Sequence, residues 1–159
     1  MPDRPDGGDG APGSTHAVGP LDPAFFALLT TSHERLVGGP LVPEGAGPEW
    51  LYLEAPFGLL AHDGADDPRF VYANAAAQAR FEYDWDAFVG LPSRLSAEPD
   101  ARDERRRLLD DVLRDGFSTG YRGRRVTRTG RTFWIEDATL WNLLDATGAR
   151  VGQAARFAV

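Results

Sequence analysis

The chain has 159 residues, 42% of them hydrophobic, which suits one domain with a core of its own and leaves little room for two. Its formal net charge of −7 argues against binding to nucleic acid or to an anionic membrane surface, because both partners need a basic surface. It contains no cysteine, which excludes disulfides, thiolate metal sites, cysteine nucleophiles and cysteinyl links to a chromophore.

The N-terminal segment predicts a tail without structure of its own. Residues 1–20 are rich in glycine, proline and aspartate and have few bulky apolar side chains, so we expect a disordered tail followed by one domain at residues 21–159. The N-terminus lacks the apolar run that a secretion signal needs, and no apolar stretch approaches the roughly 18 residues of a membrane span. We therefore expect a cytoplasmic protein that does not bind membranes.

The first predicted element is an amphipathic helix. Asp22 and Pro23 are typical of an N-cap and a first helical residue, and the glycine pair at residues 38–39 ends the pattern. Five positions recur on one face of this helix, namely Phe25, Leu28, Leu29, Ser32 and Leu36. Because an exposed stripe of this kind would aggregate, we expect it to pack on a sheet or on a second subunit.

A hairpin is predicted next, after a short helical piece at residues 49–55. Strand-forming residues are frequent in the segments FGLLAH, which begins at Phe57, and RFVYA, which begins at Arg69. The turn-rich segment DGADDP separates them, so we expect two antiparallel strands.

The sequence then changes from strand to helix at one asparagine. Asn74 has a short acceptor side chain that suits an N-cap, and the alanine-rich residues 75–81 favour a helix. Asp84 is predicted to cap a further turn that brings Trp85 and Phe88 together. This strand, cap and short helix resemble the opening of a PAS-type sensory domain.

A charged helix is predicted from Asp100 to Asp115, with Gly116 at its end. Its expected buried stripe consists of apolar residues at helical spacing, namely Leu108, Leu109, Val112 and Leu113. We interpret the arginine run at residues 105–107 as a solvated face, because the acidic residues on both sides cancel its positive potential.

Three strands complete the chain, at about residues 117–128, 131–144 and 150–159. Turn-forming residues join them, at Thr129-Gly130 and at residues 145–149. The order of elements predicts an α+β fold, with a five-stranded antiparallel sheet, helices grouped on one face and the N-terminal amphipathic helix.

Several longer segments resemble a known family. The segments that carry the likeness to the MEKHLA family are LYLEAPFGLLAHD, FVYANAAAQARFEYDW, FVGLPSRLSAEP, IEDATLWNLLD and GQAARF. This family is a PAS-like group, found as small bacterial proteins and at the C-termini of some plant homeodomain transcription factors. The likeness runs from about Phe25 to the last residue, without a literal Met-Glu-Lys-His-Leu-Ala string. It implies a PAS-like fold that binds a ligand or a protein partner.

No catalytic or metal-binding motif is recognisable. The histidines, His16, His33 and His62, lie far apart in the sequence, so we expect no metal site, and we expect no cofactor. We interpret His62 as a strand-edge residue, with haem ligation, known for histidines of some PAS domains, as the alternative. Ser93 and Ser96 lack the lysine of an S-x-x-K motif, and we assign them to loop hydrogen bonding.

Two carboxylates in the fourth predicted strand are the strongest polar candidates for a site. Side chains alternate along a strand, so Asp137 rather than Glu136 should share a face with Trp141. A two-residue loop at Thr129-Gly130 would place Arg122 opposite Asp137. A buried carboxylate at this position marks either a structural ion pair or a pocket group.

The leading prediction is a PAS-like sensory module with a pocket between the sheet and the short helices at residues 85–96. The predicted lining residues are Tyr72, Phe88, Arg94, Asp137, Trp141, Asn142 and Gln153. We expect the pocket to bind a small organic molecule, or the module to bind a protein partner such as a second copy in a homodimer. Any signal would then pass by association.

Two other functions stay open. A small cofactor-independent enzyme could use Asp137 or Glu136 as a general base, which needs a raised pKa and a cavity large enough for a substrate. A purely structural dimerisation domain would have no cavity.

Overall fold

The computed structural model describes residues 19–159, and the predicted disordered tail at residues 1–20 lies outside this part except for its last two residues. Within it the helices are α1 (Pro23–Leu36), α2 (Ala75–Phe81), α3 (Trp85–Phe88) and α4 (Arg102–Asp115). The strands are β1 (Phe57–Asp63), β2 (Phe70–Ala73), β3 (Phe117–Val126), β4 (Thr132–Leu144) and β5 (Arg150–Ala158). Short helical turns occupy Trp50–Glu54, Ser93–Ser96 and Pro99–Ala101. No helix between residues 19 and 159 is long and apolar enough to span a bilayer.

The five strands form one antiparallel sheet in the order β2-β1-β5-β4-β3. Strands β1 and β2 make the predicted hairpin, and β3, β4 and β5 follow one another as neighbours. The last strand, β5, lies in the middle of the sheet and also pairs with β1, so that Leu60 lies opposite Ala155. The predicted α+β fold and its five-stranded antiparallel sheet are confirmed.

Helix α1 covers one face of the sheet. Its Phe25, Leu28 and Leu29 are buried in one apolar cluster with Leu59 of β1 and Trp141 of β4. Burial of each such side chain stabilises the fold by about 1.5–3 kcal/mol. The predicted packing of the amphipathic helix on the sheet is confirmed.

The opposite face of the sheet carries α2, α3 and α4. Phe81 from α2, Phe88 from α3 and Val112 from α4 are buried in a second cluster, together with Ile135 and Phe157 of the sheet. The sheet is therefore a middle layer between α1 and the other three helices. We call the side that faces α2–α4 the inner face.

Asn74 caps α2 as predicted, and its buried side chain also joins α2 to the sheet. Its Oδ1 accepts hydrogen bonds from the amides of Ala77, at 3.0 Å, and Leu59, at 2.9 Å. Its Nδ2 donates to the carbonyls of Leu51, at 3.1 Å, and Phe57, at 3.0 Å. One side chain thus holds the start of α2, strand β1 and the helical turn before it.

Because of a bulge in β4, the Asp137 side chain points to solvent and not to the core as predicted. Asp137 and Ala138 together lie opposite a single residue of β5, Phe157. Asp137 has a left-handed φ of 50° and is exposed. The bulge interrupts the alternation along the strand, so Ile135 lies on the inner face while Trp141 faces α1. The prediction that Asp137 faces the core beside Trp141 is therefore wrong.

The hairpin between β3 and β4 has one loop residue more than predicted. Thr127 and Arg131 pair across a three-residue loop. The Thr127 amide donates a hydrogen bond of 2.8 Å to the Arg131 carbonyl. The register is shifted by one residue, and Arg122 binds Glu136 at 2.9 Å. The predicted pair between Arg122 and Asp137 is wrong, and the observed pair is solvent-exposed and contributes little to stability.

Candidate functional site

A small cavity lies between the inner face of the sheet and helices α2 and α4. Its volume is about 50 Å³, which leaves room for a few water molecules at roughly 10–15 Å³ each. Most of its wall is apolar and includes Leu60, Phe70, Phe81, Ile135, Leu140 and Phe157. Its polar side chains are those of His62, Ser96, Arg105, Arg125 and Gln153. An apolar cavity with a few convergent polar groups is typical of a ligand site.

The cavity adjoins a groove that opens at the surface. This groove has a volume of about 390 Å³ and shares four residues with the cavity, namely His62, Arg105, Leu109 and Gln153. Charged side chains of both signs form its outer rim, among them Arg94, Arg102, Arg106, Arg150, Asp66 and Asp103. A molecule in the groove would therefore contact three polar residues of the cavity, which are His62, Arg105 and Gln153.

Arg105 enters the site from α4. It precedes Leu108 by three residues and Val112 by seven, so the three side chains share the buried face of the helix. Arg105 is 7% exposed, and its Nη2 donates to Ser93 Oγ at 2.6 Å. The interpretation of the arginine run as a solvated face is wrong for this residue, whereas the two arginines that follow it are exposed.

Arg125 enters the site from β3, where alternate side chains face inward. It is 6% exposed, and it donates to the Arg124 carbonyl at 2.8 Å and to the Tyr121 hydroxyl at 3.2 Å. That hydroxyl donates in turn to Glu104 Oε1 at 2.9 Å. The Tyr121 ring lies over Gly123, where any Cβ would collide with it. A row of hydrogen bonds from α4 to β3 therefore positions the Arg125 guanidinium.

The two arginines form a buried positive charge for which the described part of the chain supplies no counter-ion. Within residues 19–159 no carboxylate lies within ion-pair distance of Arg105 or Arg125. Burial, and then repulsion from Arg125, lowers the pKa of Arg105 to about 10, so its guanidinium remains charged at neutral pH. Because a buried charge is costly unless it is paired, the site favours an anion.

His62 adds a buried acceptor to the same cavity. It is 7% exposed, and its Nδ1 lies 2.8 Å from the Asp63 carbonyl, which assigns the proton to Nδ1. Its Nε2 has no hydrogen-bond partner among the described residues. Burial lowers the pKa of His62 to about 4, so the imidazole is neutral at pH 7. His62 lies at the end of β1, as expected, but it is buried and its side chain lines the cavity.

Gln153 and Asn142, two of the predicted lining residues, form one polar group beside the cavity. Gln153 Nε2 donates to Asn142 Oδ1 at 3.0 Å and to the Leu109 carbonyl at 3.2 Å. Asn142 Nδ2 donates to the Leu113 carbonyl at 3.4 Å. These bonds join β4 and β5 to α4, and of the two amides Gln153 is the one on the cavity wall.

The three aromatic residues of the predicted pocket lie outside the cavity wall. Phe88 packs behind it against Phe70, with ring centroids 4.9 Å apart. Tyr72 and Trp141 belong to the cluster beneath α1, where Trp141 meets His33 edge-on at 4.8 Å. When both faces of a sheet are covered, burial alone does not tell which face a strand residue occupies.

The two remaining predicted lining residues are exposed. Arg94 lies on the groove and pairs with Asp67 at 3.1 Å. Asp137 lies at the bulge, outside both the cavity and the groove, and so does Glu136. A general base at either carboxylate therefore lacks the enclosed cavity that this role requires. Between residues 19 and 159 no three His, Asp or Glu side chains are grouped so as to hold a metal ion.

Sequence reasoning missed Arg105 and Arg125 as residues of the site, and it considered His62 only as an alternative haem ligand. A signal for Arg105 was present in its helical spacing to Leu108 and Val112. The alternation along β3 would have placed Arg125 inward once the loop length was known. His62 gives no such signal, because all but the last residue of β1 are buried and its pattern does not distinguish one face from the other.

Comparison with known proteins agrees with this architecture. The family model for the MEKHLA domain matches residues 24–159. No curated protein matches the sequence.

Solved structures share the fold at low sequence identity. A light-oxygen-voltage domain studied with a flavin analogue is 19% identical with a TM-score of 0.55, over 64% of this chain and 75% of that one. The PAS domain of a protein from Colwellia psychrerythraea is 16% identical with a TM-score of 0.56, over 65% and 85%. The dark structure of the light-oxygen-voltage domain of the blue-light photoreceptor Aureochrome1 is 20% identical with a TM-score of 0.51, over 64% and 73%. The fold is therefore that of PAS and light-oxygen-voltage domains.

Proposed function

Because the chain belongs to the MEKHLA domain family and has a PAS fold, we propose that it is a sensory module that binds a small organic molecule in the cavity on its inner face. The signal then passes by association with a protein partner. The observation that supports this proposal is a group of buried polar side chains at the cavity. Among the described residues His62 Nε2 has no hydrogen-bond partner, and neither Arg105 nor Arg125 has a carboxylate within ion-pair distance. Buried polar groups are nearly always paired, so an exception at a cavity favours a bound molecule.

The size of the cavity restricts the ligand. A volume of about 50 Å³ is far below the roughly 300–1,000 Å³ of a site for a drug-sized molecule. A flavin or a haem would require the edge-to-face pair of Phe81 and Phe157 on the cavity wall, whose ring centroids are 6.0 Å apart, to separate. The proposed ligand is therefore a molecule of a few non-hydrogen atoms, and any larger part extends into the groove of about 390 Å³.

The proposal is tested by denaturing the purified protein and identifying released small molecules by mass spectrometry. We expect one small molecule in a near-stoichiometric amount, and a lower melting temperature after its removal, because a ligand that binds the native state stabilises it. A protein that releases nothing, and whose melting temperature is unchanged by extensive dialysis, would contradict the proposal.

A cavity-filling variant sharpens this test. Ala155 lies on the cavity wall in β5, so Ala155→Leu should occupy the space and abolish the released molecule. Ala158→Leu is the matched control, because Ala158 lies at the exposed end of the same strand. Equal amounts of molecule from the two variants would place any bound ligand elsewhere.

A further inference from the structure

We propose that the ligand is a small organic carboxylate whose anionic group lies between Arg105 and Arg125, an inference that rests on the proposed function and specifies its ligand. The positive charge of the site is the reason for proposing an anionic ligand. Both arginines are more than nine-tenths buried, on facing elements of the cavity, and within residues 19–159 neither has a carboxylate partner. The neighbouring Arg124, by contrast, binds the exposed Asp100 at 2.6 Å.

The hydrogen bonds of the two guanidinium groups leave donors for a ligand. A guanidinium presents several N–H donors in a planar fork that matches the two oxygens of a carboxylate. Among the described residues, Arg105 and Arg125 together make three hydrogen bonds to protein acceptors, which are Ser93 Oγ, the Arg124 carbonyl and the Tyr121 hydroxyl. All three acceptors are uncharged, so an anionic oxygen would form stronger hydrogen bonds with the same forks.

The shape and walls of the cavity favour a carboxylate over a phosphate. A cavity of about 50 Å³ accepts a planar carboxylate with a short hydrocarbon body. Phe81, Ile135 and Phe157 supply apolar contacts for that body. A phosphate group carries close to two charges on three oxygens, which calls for more donors than this largely apolar wall presents.

The experiment compares two probes of equal shape. Propionate and its neutral amide, propionamide, are titrated into dialysed protein by calorimetry. We expect propionate to bind, and propionamide to bind at least about tenfold more weakly, because hydrogen bonds to charged groups are the stronger ones. Arg105→Met and Arg125→Met should each remove propionate binding. Arg107→Met is the matched control, because Arg107 is exposed on the same helix, and it should bind propionate as the wild type does.

A stability measurement separates loss of the site from loss of the fold. Replacing a buried unpaired charge by an apolar side chain of similar length is often neutral or stabilising, so the melting temperatures of Arg105→Met and Arg125→Met without ligand should equal or exceed that of the wild type. Lower melting temperatures for both would show that the arginines are structural and would overturn the inference.

The outcomes also show separately whether the cavity binds a ligand and whether that ligand is a carboxylate. Equal binding of propionate and propionamide would overturn the anionic ligand while leaving the cavity as a binding site. Binding of inorganic phosphate but not of propionate would overturn the carboxylate. If the denatured protein releases a molecule without a carboxylate, the proposed function stands and this inference fails; if it releases none and neither probe binds, both fail.

Discussion

Buried polar side chains join the segments around the cavity. Ser93 accepts a hydrogen bond from Arg105 through its Oγ, while its backbone amide donates to the Pro68 carbonyl at 2.8 Å and its carbonyl accepts from Ser96 Oγ at 2.7 Å. One serine therefore connects α4, the turn before β2 and its own helical turn. The loop hydrogen bonding expected for Ser93 and Ser96 is confirmed, and it also positions an arginine of the site.

Asn74 gives the sharpest stability prediction at a single residue. Asn74→Ala leaves two buried amides and two buried carbonyls without their present partner, so we expect a loss of about 2–4 kcal/mol in the free energy of unfolding. Asp84→Ala is the control, because Asp84 is exposed and caps α3 through one hydrogen bond of 2.9 Å to the Ala87 amide, with an expected loss of about 1 kcal/mol. Urea unfolding measures both, and equal losses would contradict the joining role of Asn74.

His62 predicts a pH dependence of stability. Burial, with repulsion from Arg105 and Arg150, lowers the folded-state pKa of His62 to about 4, whereas Asp63 and its carbonyl oppose this shift. As the pH falls from about 6.5, the unfolded chain takes up a proton before the folded protein does. The stabilising contribution is therefore complete above pH 6.5 and is lost progressively towards pH 4, by up to about 3 kcal/mol.

The measurement for His62 is urea unfolding at pH 7 and at pH 4.5, on the wild type and on His62→Gln. The wild type should lose about 2 kcal/mol more between the two pH values than the variant, which has no imidazole to protonate. The same carboxylates are present in both proteins, so the comparison isolates the effect of the imidazole. Parallel pH profiles would show that His62 is not the source of the dependence.

At the scale of elements, the β4 bulge predicts an unusual order of substitutions. Asp137 has a φ of 50°, a conformation that glycine adopts freely and a β-branched residue adopts only with strain. Asp137→Val should therefore destabilise the protein by about 1–2 kcal/mol, while Asp137→Gly should be nearly neutral. Glu136→Val is the control, because Glu136 lies in extended strand and valine favours strands.

The relative cost of Asp137→Val and Asp137→Gly shows whether Asp137 matters through its backbone conformation or through a buried ion pair. If the Asp137 carboxylate were a buried partner of an arginine, the glycine variant would cost as much as the valine variant or more. Chemical denaturation of the three variants decides between the two. A large loss for Asp137→Gly would restore the original interpretation of Asp137.

The elements themselves were predictable because their signals are local. The caps at Asn74 and Asp84, and the glycine that ends α4, lie within one turn of the helices they bound, so sequence spacing identifies them. The bulge at Asp137 and the third loop residue before β4 depend on pairing with other strands, and a shift of one residue changes which face each side chain takes. The error for the site residues on β4 follows from these two features.

The burial of a charged side chain was the other feature that the sequence did not predict. Arg105 lies among exposed arginines and acids, so composition favours a solvated run, and its helical spacing to Val112 becomes decisive only when the packing of α4 on the sheet is known. Among the predicted lining residues, Gln153 is the one whose side chain lies on the cavity wall, where it donates to Asn142 Oδ1.

At the scale of the whole molecule, the sheet lies between two apolar clusters and contributes residues to both. Leu29 of α1 is fully buried on one side, and Val112 of α4 is fully buried on the other. Strand β4 contributes to both clusters through Leu143 on the α1 side and Leu140 on the inner side. We therefore expect α1 to unfold together with β4 and α4, the elements on either side of the cavity, as one cooperative unit.

Leu29→Ala tests this cooperativity. We expect a loss of about 2–5 kcal/mol, because truncation of a fully buried leucine leaves a cavity, whereas Leu113→Ala at a 49% exposed position on α4 should cost far less. Hydrogen exchange locates the effect: if the fold is one unit, Leu29→Ala should accelerate exchange of the most protected amides of α4 and β4 by the same factor as those of α1. Acceleration confined to α1 would show that this helix opens on its own, and the inner face with its two arginines would then be stable without it.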